Sequence, residues 1–441
     1  MLRRKIEDTL AEWKAHRTQQ AIMVMGARQV GKTTAVRQFA HSHYAHLAEV
    51  NFLGNEVAKQ TLAQATDASD LLFRISALTG VRLDPENTLL FLDEVQECQD
   101  MLTWVKFLAE RTELDVVLSG SLLGLDAYVH VRSLPVGFLR RVYLYPLSFE
   151  EFCWANGILP EVFDRVRECY ERRIPVSDYL HERLRVLFFR YLIVGGMPDA
   201  VQAFVDTSDS VAVRQSQRSI LEMYEDDIAK YVGDLVEARQ IKMVFRSIPG
   251  QLNTPSKRFQ YARLGKNLRF ANMETAFDWL GAAGTAILVP HVGSCDFPLG
   301  LSEDRSRFKL FPNDVGLLTA QLTGNVDVDI LMGNAAINKG SIFEAVVAQE
   351  LVAHGVRPWY YSSKRRGEVD FVIEDASTGD VLPIEVKSGK DYRRHTALRN
   401  LLADEAGSIR QAVVLHDGNV ELRDGITYLP VYMAGLLAPR E

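Results

Sequence analysis

Short apolar runs alternate with amphipathic stretches through the first 150 residues. The runs are AIMVMG, AEVNFL, TLLFLDE, DVVLSG and VYLYPL, and segments such as KTTAVRQFAHSHY and MLTWVKFLAER separate them. Brief apolar runs that alternate with helical patterns are typical of βαβ units and of a parallel sheet covered on both faces. The pattern predicts a doubly wound α/β domain over residues 1–147.

The pattern of apolar positions changes after this domain. Residues 148–235 have helical periodicity with a break at GGMP, which predicts a helical lid region. Residues 236–335 follow the order helix, turn, helix and β-rich run, which predicts a winged-helix-like region. The rest of the chain places the helix SIFEAVVAQELVAHG before the strands PWYYSS, EVDFVIE and LPIEVKSG and a last helix. It predicts a smaller α/β domain over residues 336–441.

Composition places the chain among globular proteins. Its 441 residues correspond to roughly three domains, and 47% apolar with 24% charged residues is enough to form large cores. There is no apolar stretch of about 18 residues and no signal-peptide pattern, so we expect a cytoplasmic protein without membrane contact. Four cysteines without a CxxC pair predict neither a zinc site nor disulfides: Cys98, Cys153, Cys169 and Cys295.

The net charge of -7 argues against a uniformly basic surface, but basic residues are concentrated locally. The segment from Lys242 to Met273 contains no acid, and four aromatic residues lie within it: Phe245, Phe259, Tyr261 and Phe270. Its basic residues are Lys242, Arg246, Lys257, Arg258, Arg263, Lys266 and Arg269. Such a segment indicates a nucleic-acid partner, with DNA favoured, although a solvated surface has the same sequence pattern.

The stretch GARQVGKTT has the P-loop spacing directly after an apolar strand and before a helix. Glycines in this loop let backbone N–H groups converge on phosphates. We expect Lys32 to neutralise the β- and γ-phosphates and Thr33 to bind Mg²⁺. The predicted ATP-binding residues of the loop are Gly26, Gly31, Lys32, Thr33 and Thr34.

Polar residues follow two further apolar strands. The strand LLFLDEVQ ends in Asp93 and Glu94, where Asp93 would hold Mg²⁺ and Glu94 would activate the attacking water. The strand DVVLSGS brings Ser119 and Ser121 to the same edge, where either serine could contact the nucleotide or form only a turn.

Three arginines beyond these strands are candidates for a residue that stabilises transition-state charge: Arg132, Arg140 and Arg141. An arginine reaching the γ-phosphate of a neighbouring copy would make the protein a homo-oligomer. A paired surface arginine is the alternative interpretation.

Near the C-terminus, acids and a lysine interrupt apolar strands. Asp370 precedes FVI, Glu385 and Lys387 alternate with Val386 on the next strand, and Glu344 lies in the preceding helix. The order and spacing of these residues resemble metal-dependent nucleases of the PD-(D/E)xK class. In that class carboxylates hold Mg²⁺, and the lysine orients or activates water. This predicts Glu344, Asp370 and Glu385 as metal ligands, and Asp370, Glu385 and Lys387 as catalytic residues. The alternative is an edge strand with a solvated charged face.

Nearly the whole chain resembles prokaryotic ATPases of the AAA superfamily fused to a C-terminal restriction-endonuclease-like domain of uncharacterised function. The resemblance is carried by GARQVGKTT, LLFLDEVQ, VVLSGS, SLPVGFLRRVYLYPLSFEEF, GGMP, MYEDDIAKY, EVDFVI and PIEVKSG. It implies an ATPase with ATP and Mg²⁺ as cofactors. One departure is Phe138, which stands where such proteins often have a basic residue after PVG.

The resulting hypothesis is an ATP-hydrolysing protein that acts on DNA with a Mg²⁺-dependent nuclease-like domain. The alternative is a nucleotide-dependent switch or signalling scaffold whose C-terminal domain is catalytically inactive and binds a partner. Turnover that DNA stimulates would separate the two, because a switch directed at proteins has no reason to respond to DNA.

Overall fold

A computed structural model describes residues 2–16, 20–98, 100–111, 113–121, 137–323, 339–389, 391–404 and 409–438. The chain forms two compact units. Arg3–Tyr145 makes up the body of the first, while Pro146–Gly281 and Thr285–Glu441 make up the second. The division falls two residues from the predicted end of the first domain.

The first unit contains a five-stranded sheet in which every pairing is parallel, in the order β2-β3-β4-β1-β5. Its strands are β1 (Ala21–Gly26), β2 (His46–Asn51), β3 (Thr88–Asp93), β4 (Asp115–Ser121) and β5 (Leu139–Tyr143). Its helices are α1 (Ile6–His16), α2 (Lys32–His43), α3 (Glu56–Ala63), α4 (Ala68–Thr79) and α5 (Asp100–Arg111). The predicted α/β fold with a parallel sheet is confirmed.

The central strands are apolar on both faces because both faces are covered. Every residue of β1 and β3 is buried, which is why these strands lack the alternation of a half-exposed sheet. Met23, Leu92 and Leu118 from adjacent strands share one core with Leu102 of α5. All five strands point the same way, so their carboxyl ends lie along one edge, where polar side chains can converge.

The second unit begins with a helical region, as the sequence indicates. Its helices are α6 (Phe149–Ala155), α7 (Pro160–Arg172), α8 (Asp178–Val194), α9 (Pro198–Thr207), α10 (Ser210–Tyr231) and α11 (Leu235–Leu252). The GGMP break between α8 and α9 has a specific contact. The Gly196 N–H donates to the Asp314 carboxylate at 2.5 Å, and a Cβ on Gly195 would lie 2.1 Å from an oxygen of that carboxylate. Side chains are therefore excluded from this turn.

The remainder of the second unit is built on an eight-stranded sheet, in the order β12-β13-β11-β10-β9-β8-β6-β7. Its strands are β6 (Ala286–Val292), β7 (Glu303–Pro312), β8 (Trp359–Ser363), β9 (Gly367–Glu374), β10 (Val381–Val386), β11 (Ala412–His416), β12 (Glu421–Arg423) and β13 (Ile426–Pro430). The accompanying helices are α12 (Glu274–Ala282), α13 (Val315–Thr323), α14 (Lys339–Ala353) and α15 (Thr396–Asp404).

The hairpin of the region predicted to be winged-helix-like belongs to a larger sheet. The order of helix, turn, helix and hairpin is present, with β6 and β7 pairing antiparallel, but β6 also pairs in parallel with β8. The hairpin is thus the edge of the larger sheet, and the boundary expected between residues 335 and 336 separates elements that share this sheet. Strand β8 lies far from β6 along the chain. Local periodicity carries no information about pairing between such distant segments.

The four cysteines are buried free thiols. Across the described ranges, no helix combines the length and apolar character that crossing a membrane requires.

Candidate nucleotide site and C-terminal charge cluster

The P-loop joins the end of β1 to the start of α2. Gln29 and Gly31 have positive φ angles of 63° and 90°, and α2 begins at Lys32. Glycine adopts such angles without steric cost, so Gly31 allows the chain to enter the helix directly from the loop. The N–H groups of the first helical turn have no acceptors within the helix and form an anion-binding site.

Gly26 is required by packing within this unit. A Cβ at Gly26 would lie 2.2 Å from the carbonyl oxygen of Leu144, the residue that follows β5. The Leu144 N–H also donates to the Met25 carbonyl at 2.7 Å, which holds the end of β1 close to the segment after β5. Any side chain at Gly26 would displace the start of the loop.

Two basic side chains contact the backbone of the P-loop. The buried Lys32 ammonium donates to the carbonyls of Gly26 at 3.1 Å and Ala27 at 2.9 Å. Arg4 is also buried, and it donates to the Val30 carbonyl at 2.9 Å and the Tyr145 carbonyl at 2.6 Å. Arg4 was not among the predicted site residues, because nothing in MLRRK distinguishes it from its basic neighbours.

Asp93 lies at the centre of the polar groups on the sheet edge. The Thr33 hydroxyl lies 3.0 Å from each of its carboxylate oxygens, Asn51 donates to it at 2.7 Å, and the Ser119 hydroxyl also donates. Burial raises the pKa of Asp93, and the bonds from Ser119 and Thr33 oppose that rise. An all-oxygen set of one carboxylate and one hydroxyl beside a phosphate loop fits Mg²⁺. Asn51, at the end of β2, is a further residue that the motifs did not identify.

Glu94 follows Asp93 in a left-handed conformation with φ of 56°. Its N–H donates to the Ser119 hydroxyl at 3.1 Å, and its carboxylate accepts a hydrogen bond from the Gln96 amide. Left-handed φ is uncommon for a residue with a side chain and persists where surrounding contacts hold it. Ser119 and Gln96 therefore fix the direction of Glu94.

The remaining predicted nucleotide residues are distributed differently. Thr34 is exposed on the first turn of α2, and Ser121 ends β4. Arg132 lies outside the described residues. Arg140 and Arg141 are exposed on β5, paired in register with Ile22 and Met23. That register places both arginines roughly 10 Å or more along the sheet from the carboxyl edge.

In the second unit, the structure brings the predicted C-terminal acids together with lysines from distant segments. Glu344 on α14 is fully buried, and its carboxylate contacts Lys257 and, at 3.0 Å, Lys309 of β7. Lys309 also lies 3.0 Å from Glu368 and 3.6 Å from Asp370. From the sequence, Lys387 is the only cation expected to match these acids. The structure supplies two more, from 87 and 35 residues away along the chain from Glu344.

Charge within this cluster is balanced by contact. Burial alone would raise the pKa of Asp370, but Lys309 and Lys257 hold it below its usual value. Burial raises the pKa of Glu344, as does the neighbouring Asp370, and the two lysines oppose this. Burial opposes the positive charge on Lys309, yet the surrounding carboxylates, first that of Glu344, raise its pKa.

Glu385 and Lys387 are paired with each other. The Lys387 ammonium lies 2.6 Å from one Glu385 oxygen, and the other Glu385 oxygen is buried without a hydrogen-bond partner. Burial, followed by repulsion from Asp370, raises the pKa of Glu385 to about 8. One oxygen of Asp370 accepts the Val386 N–H at 2.9 Å, just beyond the antiparallel pairing of β9 and β10.

These residues do not fit a divalent metal as they stand. Among the described residues there is no group of three or more His, Cys, Asp or Glu side chains placed to hold one ion. The predicted ligands Glu344, Asp370 and Glu385 are directed toward ammonium groups and a backbone N–H. The arrangement is that of an ion-pair cluster.

The basic segment from Lys242 to Met273 is divided between paired and solvent-facing cations. Three of its cations bind acids: Arg246 with Glu225, Lys257 with Glu344 and Arg258 with Glu368. Of its aromatic residues, Phe245 and Phe259 are buried, and Tyr261 and Phe270 are partly buried. The rings of Phe259, Tyr261 and Phe270 pack against Phe277 and Phe308.

A groove of about 650 Å³ lies along α11. Its lining contains four cations and no acid: Arg239, Lys242, Arg246 and Arg263. The first three follow one another at intervals of three and four residues, so they share one face of the helix. Arg239 lies just outside the acid-free segment and was missed for that reason.

Three family models match consecutive parts of the chain. Residues 18–153 match a model described as an AAA domain, residues 185–327 match a domain of unknown function (DUF8612), and residues 339–433 match another (DUF4143). The match to the AAA domain covers the P-loop and all five strands of the first sheet, so the first unit is an AAA-type P-loop ATPase domain. The nuclease-like assignment of the C-terminal domain remains a prediction.

One curated protein and two solved structures illustrate what the chain is similar to. The uncharacterized protein MJ1637 of Methanocaldococcus jannaschii is 23% identical over 440 residues, covering 93% of this chain and 83% of its own. The Aeropyrum pernix Orc1 protein in complex with DNA is 14% identical, covering 74% of this chain and 93% of its own at a TM-score of 0.28. The Saccharomyces cerevisiae Hsp104–ADP complex is 15% identical, covering 80% of this chain and 44% of its own at a TM-score of 0.30.

Proposed function

We propose that this protein binds and hydrolyses ATP with Mg²⁺ at the P-loop and that nucleic acid, with DNA favoured, binds to its second unit. The observation that carries the first part is the convergence of Thr33, Asp93 and Glu94 at the edge where the P-loop begins α2. ATP with Mg²⁺ supplies an electrophilic γ-phosphorus and neutralises part of the phosphate charge.

The side chains have separate tasks in this proposal. Lys32 neutralises phosphate oxygens from inside the loop, and the oxygens of Thr33 and Asp93 hold Mg²⁺. Glu94, directed by Gln96 and Ser119, accepts a proton from the attacking water. Arg140 and Arg141 are exposed and lie back from the carboxyl edge, so a contact with nucleotide would have to be with that of a second copy.

Two substitutions test the division of tasks. Lys32→Ala removes the buried cation and should abolish nucleotide binding, whereas Glu94→Gln keeps the shape of the site and should retain binding while losing hydrolysis. ATP affinity and phosphate release are measured for both, with the exposed Lys106→Ala as the control. Full hydrolysis by the Glu94→Gln protein would exclude Glu94 as the base.

The basic groove along α11 supports the nucleic-acid part. Arg239, Lys242 and Arg263 contribute positive charge without an acid in the lining. Phosphate contacts release counterions, so binding through this groove must weaken as salt concentration rises. The groove is a better candidate than the segment as a whole, because Lys257 and Arg258 are already paired with acids.

A triple variant tests the groove. Replacing Arg239, Lys242 and Arg263 by Ala should weaken DNA binding for all sequences and flatten the salt dependence by about 0.9 logarithmic units per lost contact. The control replaces three exposed arginines near α7 by Ala: Arg165, Arg172 and Arg173. If both triple variants bind alike at several salt concentrations, the groove is not the DNA site.

The switch hypothesis is the second candidate. It is favoured by the C-terminal cluster, where paired lysines leave the nuclease-like residues without a metal arrangement. ATP turnover is measured with and without DNA in the unmodified protein and in the groove variant. Stimulation that depends on the groove supports a DNA-directed ATPase, and turnover indifferent to DNA supports the switch.

A further inference from the structure

We propose that Lys257 and Lys309 take the place of a divalent cation in the C-terminal cluster, so that Glu344 and Asp370 are paired without metal. The two ammonium groups carry together the charge of one such ion. They approach the predicted metal ligands from two other parts of the fold, the segment after α11 and strand β7.

The position of Lys309 is the first argument. Its ammonium group is within 4 Å of carboxylate oxygens on Glu344, Glu368 and Asp370, and its side chain has no exposed surface. A bound divalent ion would collect oxygens of this kind around itself. Lys309 lies in the buried half of β7.

Charge is balanced within the cluster. Three acids and three cations form one network of ion pairs across four segments: Glu344, Glu368 and Asp370 with Lys257, Arg258 and Lys309. Buried charges are tolerated when each has a partner of opposite sign. Adding a divalent cation to a set that is already neutral would leave two positive charges in excess.

The conformation of Lys257 is the third argument. Its backbone has φ of 51°, a left-handed angle that favours glycine, yet a lysine stands there and its side chain reaches Glu344. The neighbouring Arg258 binds Glu368 from the same segment. The segment thus delivers two adjacent cations to two acids of the cluster, at some cost in backbone conformation.

Mn²⁺ binding to the nucleotide-free, full-length protein tests the proposal. Electron paramagnetic resonance of free Mn²⁺ is recorded with the unmodified protein and with Asp370→Asn. We expect identical uptake by the two proteins and no change in the thermal midpoint when Mn²⁺ or EDTA is added. Uptake by the unmodified protein that Asp370→Asn removes would overturn the proposal.

Variants that remove the lysine charges provide the converse test. Lys257→Met with Lys309→Met should lower the thermal midpoint and create Mn²⁺ uptake that depends on Asp370, with partial recovery of the midpoint. The single variant Lys257→Met, at a partly exposed position, should show the same changes to a smaller degree if the double variant does not fold. Lys364→Met, on the exposed turn before β9, is the control. If Lys257→Met and every other folded lysine variant take up the same amount of Mn²⁺ as the unmodified protein, the lysines do not take the place of a cation. These Mn²⁺ measurements are independent of ATP hydrolysis and of DNA binding. Failure of the metal-free cluster can therefore be distinguished from failure of the proposed function.

Discussion

The Lys309 ammonium nitrogen lies 3.0 Å from a carboxylate oxygen of Glu344, and the two side chains have exposed fractions of 0% and 1%. Neither charge can be compensated by water. Each therefore depends on the other, and on the further partners Lys257, Glu368 and Asp370. The pair connects β7 to α14, two elements placed in separate domains by periodicity alone.

Removing one partner of this pair should be strongly destabilising. Lys309→Ala leaves a buried carboxylate uncompensated, for which a loss of about 3–5 kcal/mol in the free energy of unfolding is expected. Urea denaturation measures it, and the exposed Lys364→Ala should stay within about 0.5 kcal/mol of the unmodified protein. A double-mutant cycle with Glu344→Gln should show coupling, since each single change strands the other charge. If Lys309→Ala lowers the free energy of unfolding by less than roughly 1 kcal/mol, the two side chains do not form a buried ion pair.

Gln96 should affect catalysis without affecting nucleotide binding. Its amide donates to the Glu94 carboxylate, and both follow the end of β3. Gln96→Ala frees Glu94 to rotate, which should lower kcat roughly tenfold, a part of the contribution of a general base. KM for ATP should change little, because the P-loop is untouched. A rise in KM at constant kcat would instead place Gln96 in substrate binding.

The convergence of Thr33 and Asp93 in the candidate nucleotide site was predictable from sequence because most parts of the site are local. Gly31, Lys32 and Thr33 are contiguous, and the apolar strand before Asp93 and Glu94 marks where they stand on the sheet. Parallel strands align their carboxyl ends, so separate motifs can be assigned to one edge without knowing the tertiary structure. Asn51 could have been found by the same rule, since it also ends a strand.

What sequence reasoning missed depends on long-range contacts. Lys257 and Lys309 reach Glu344 from 87 and 35 residues away, and no local pattern relates them. The partner of β6 is β8, beyond the expected domain boundary. Arg140 and Arg141 sit well back from the carboxyl edge because of the register between β5 and β1, which is set by hydrogen bonds and not by spacing. Such relationships arise only when the sheets assemble.

Arg4 should support the P-loop from outside the motif. Arg4→Ala removes buried donors to the carbonyls of Val30 and Tyr145, and a bond from a charged donor contributes about 1.5–3 kcal/mol. ATP affinity should fall together with stability, because the Val30 carbonyl belongs to the loop. Calorimetric ATP titration and urea denaturation measure the two effects. The exposed neighbour Arg3→Ala is the control, and equal effects of both substitutions would remove the specific role of Arg4.

His416 should make the stability of the second unit depend on pH. Its Nδ1 accepts the Gly418 N–H at 3.0 Å, and its Nε2 lies 3.2 Å from the Asn419 carbonyl, an arrangement that suits the neutral ring. Burial lowers its pKa from 6.5 to about 4. Between these values the unfolded chain binds a proton that the folded protein does not. The contribution of this group to the free energy of unfolding is therefore fully present above pH 6.5. It is lost as the pH falls toward 4, by at most roughly 3 kcal/mol.

Urea denaturation at several pH values tests this contribution. The free energy of unfolding should decline more steeply with falling pH for the unmodified protein than for His416→Gln, because the two proteins share every other titrating group. Equal slopes would mean that His416 titrates alike in the folded and unfolded states.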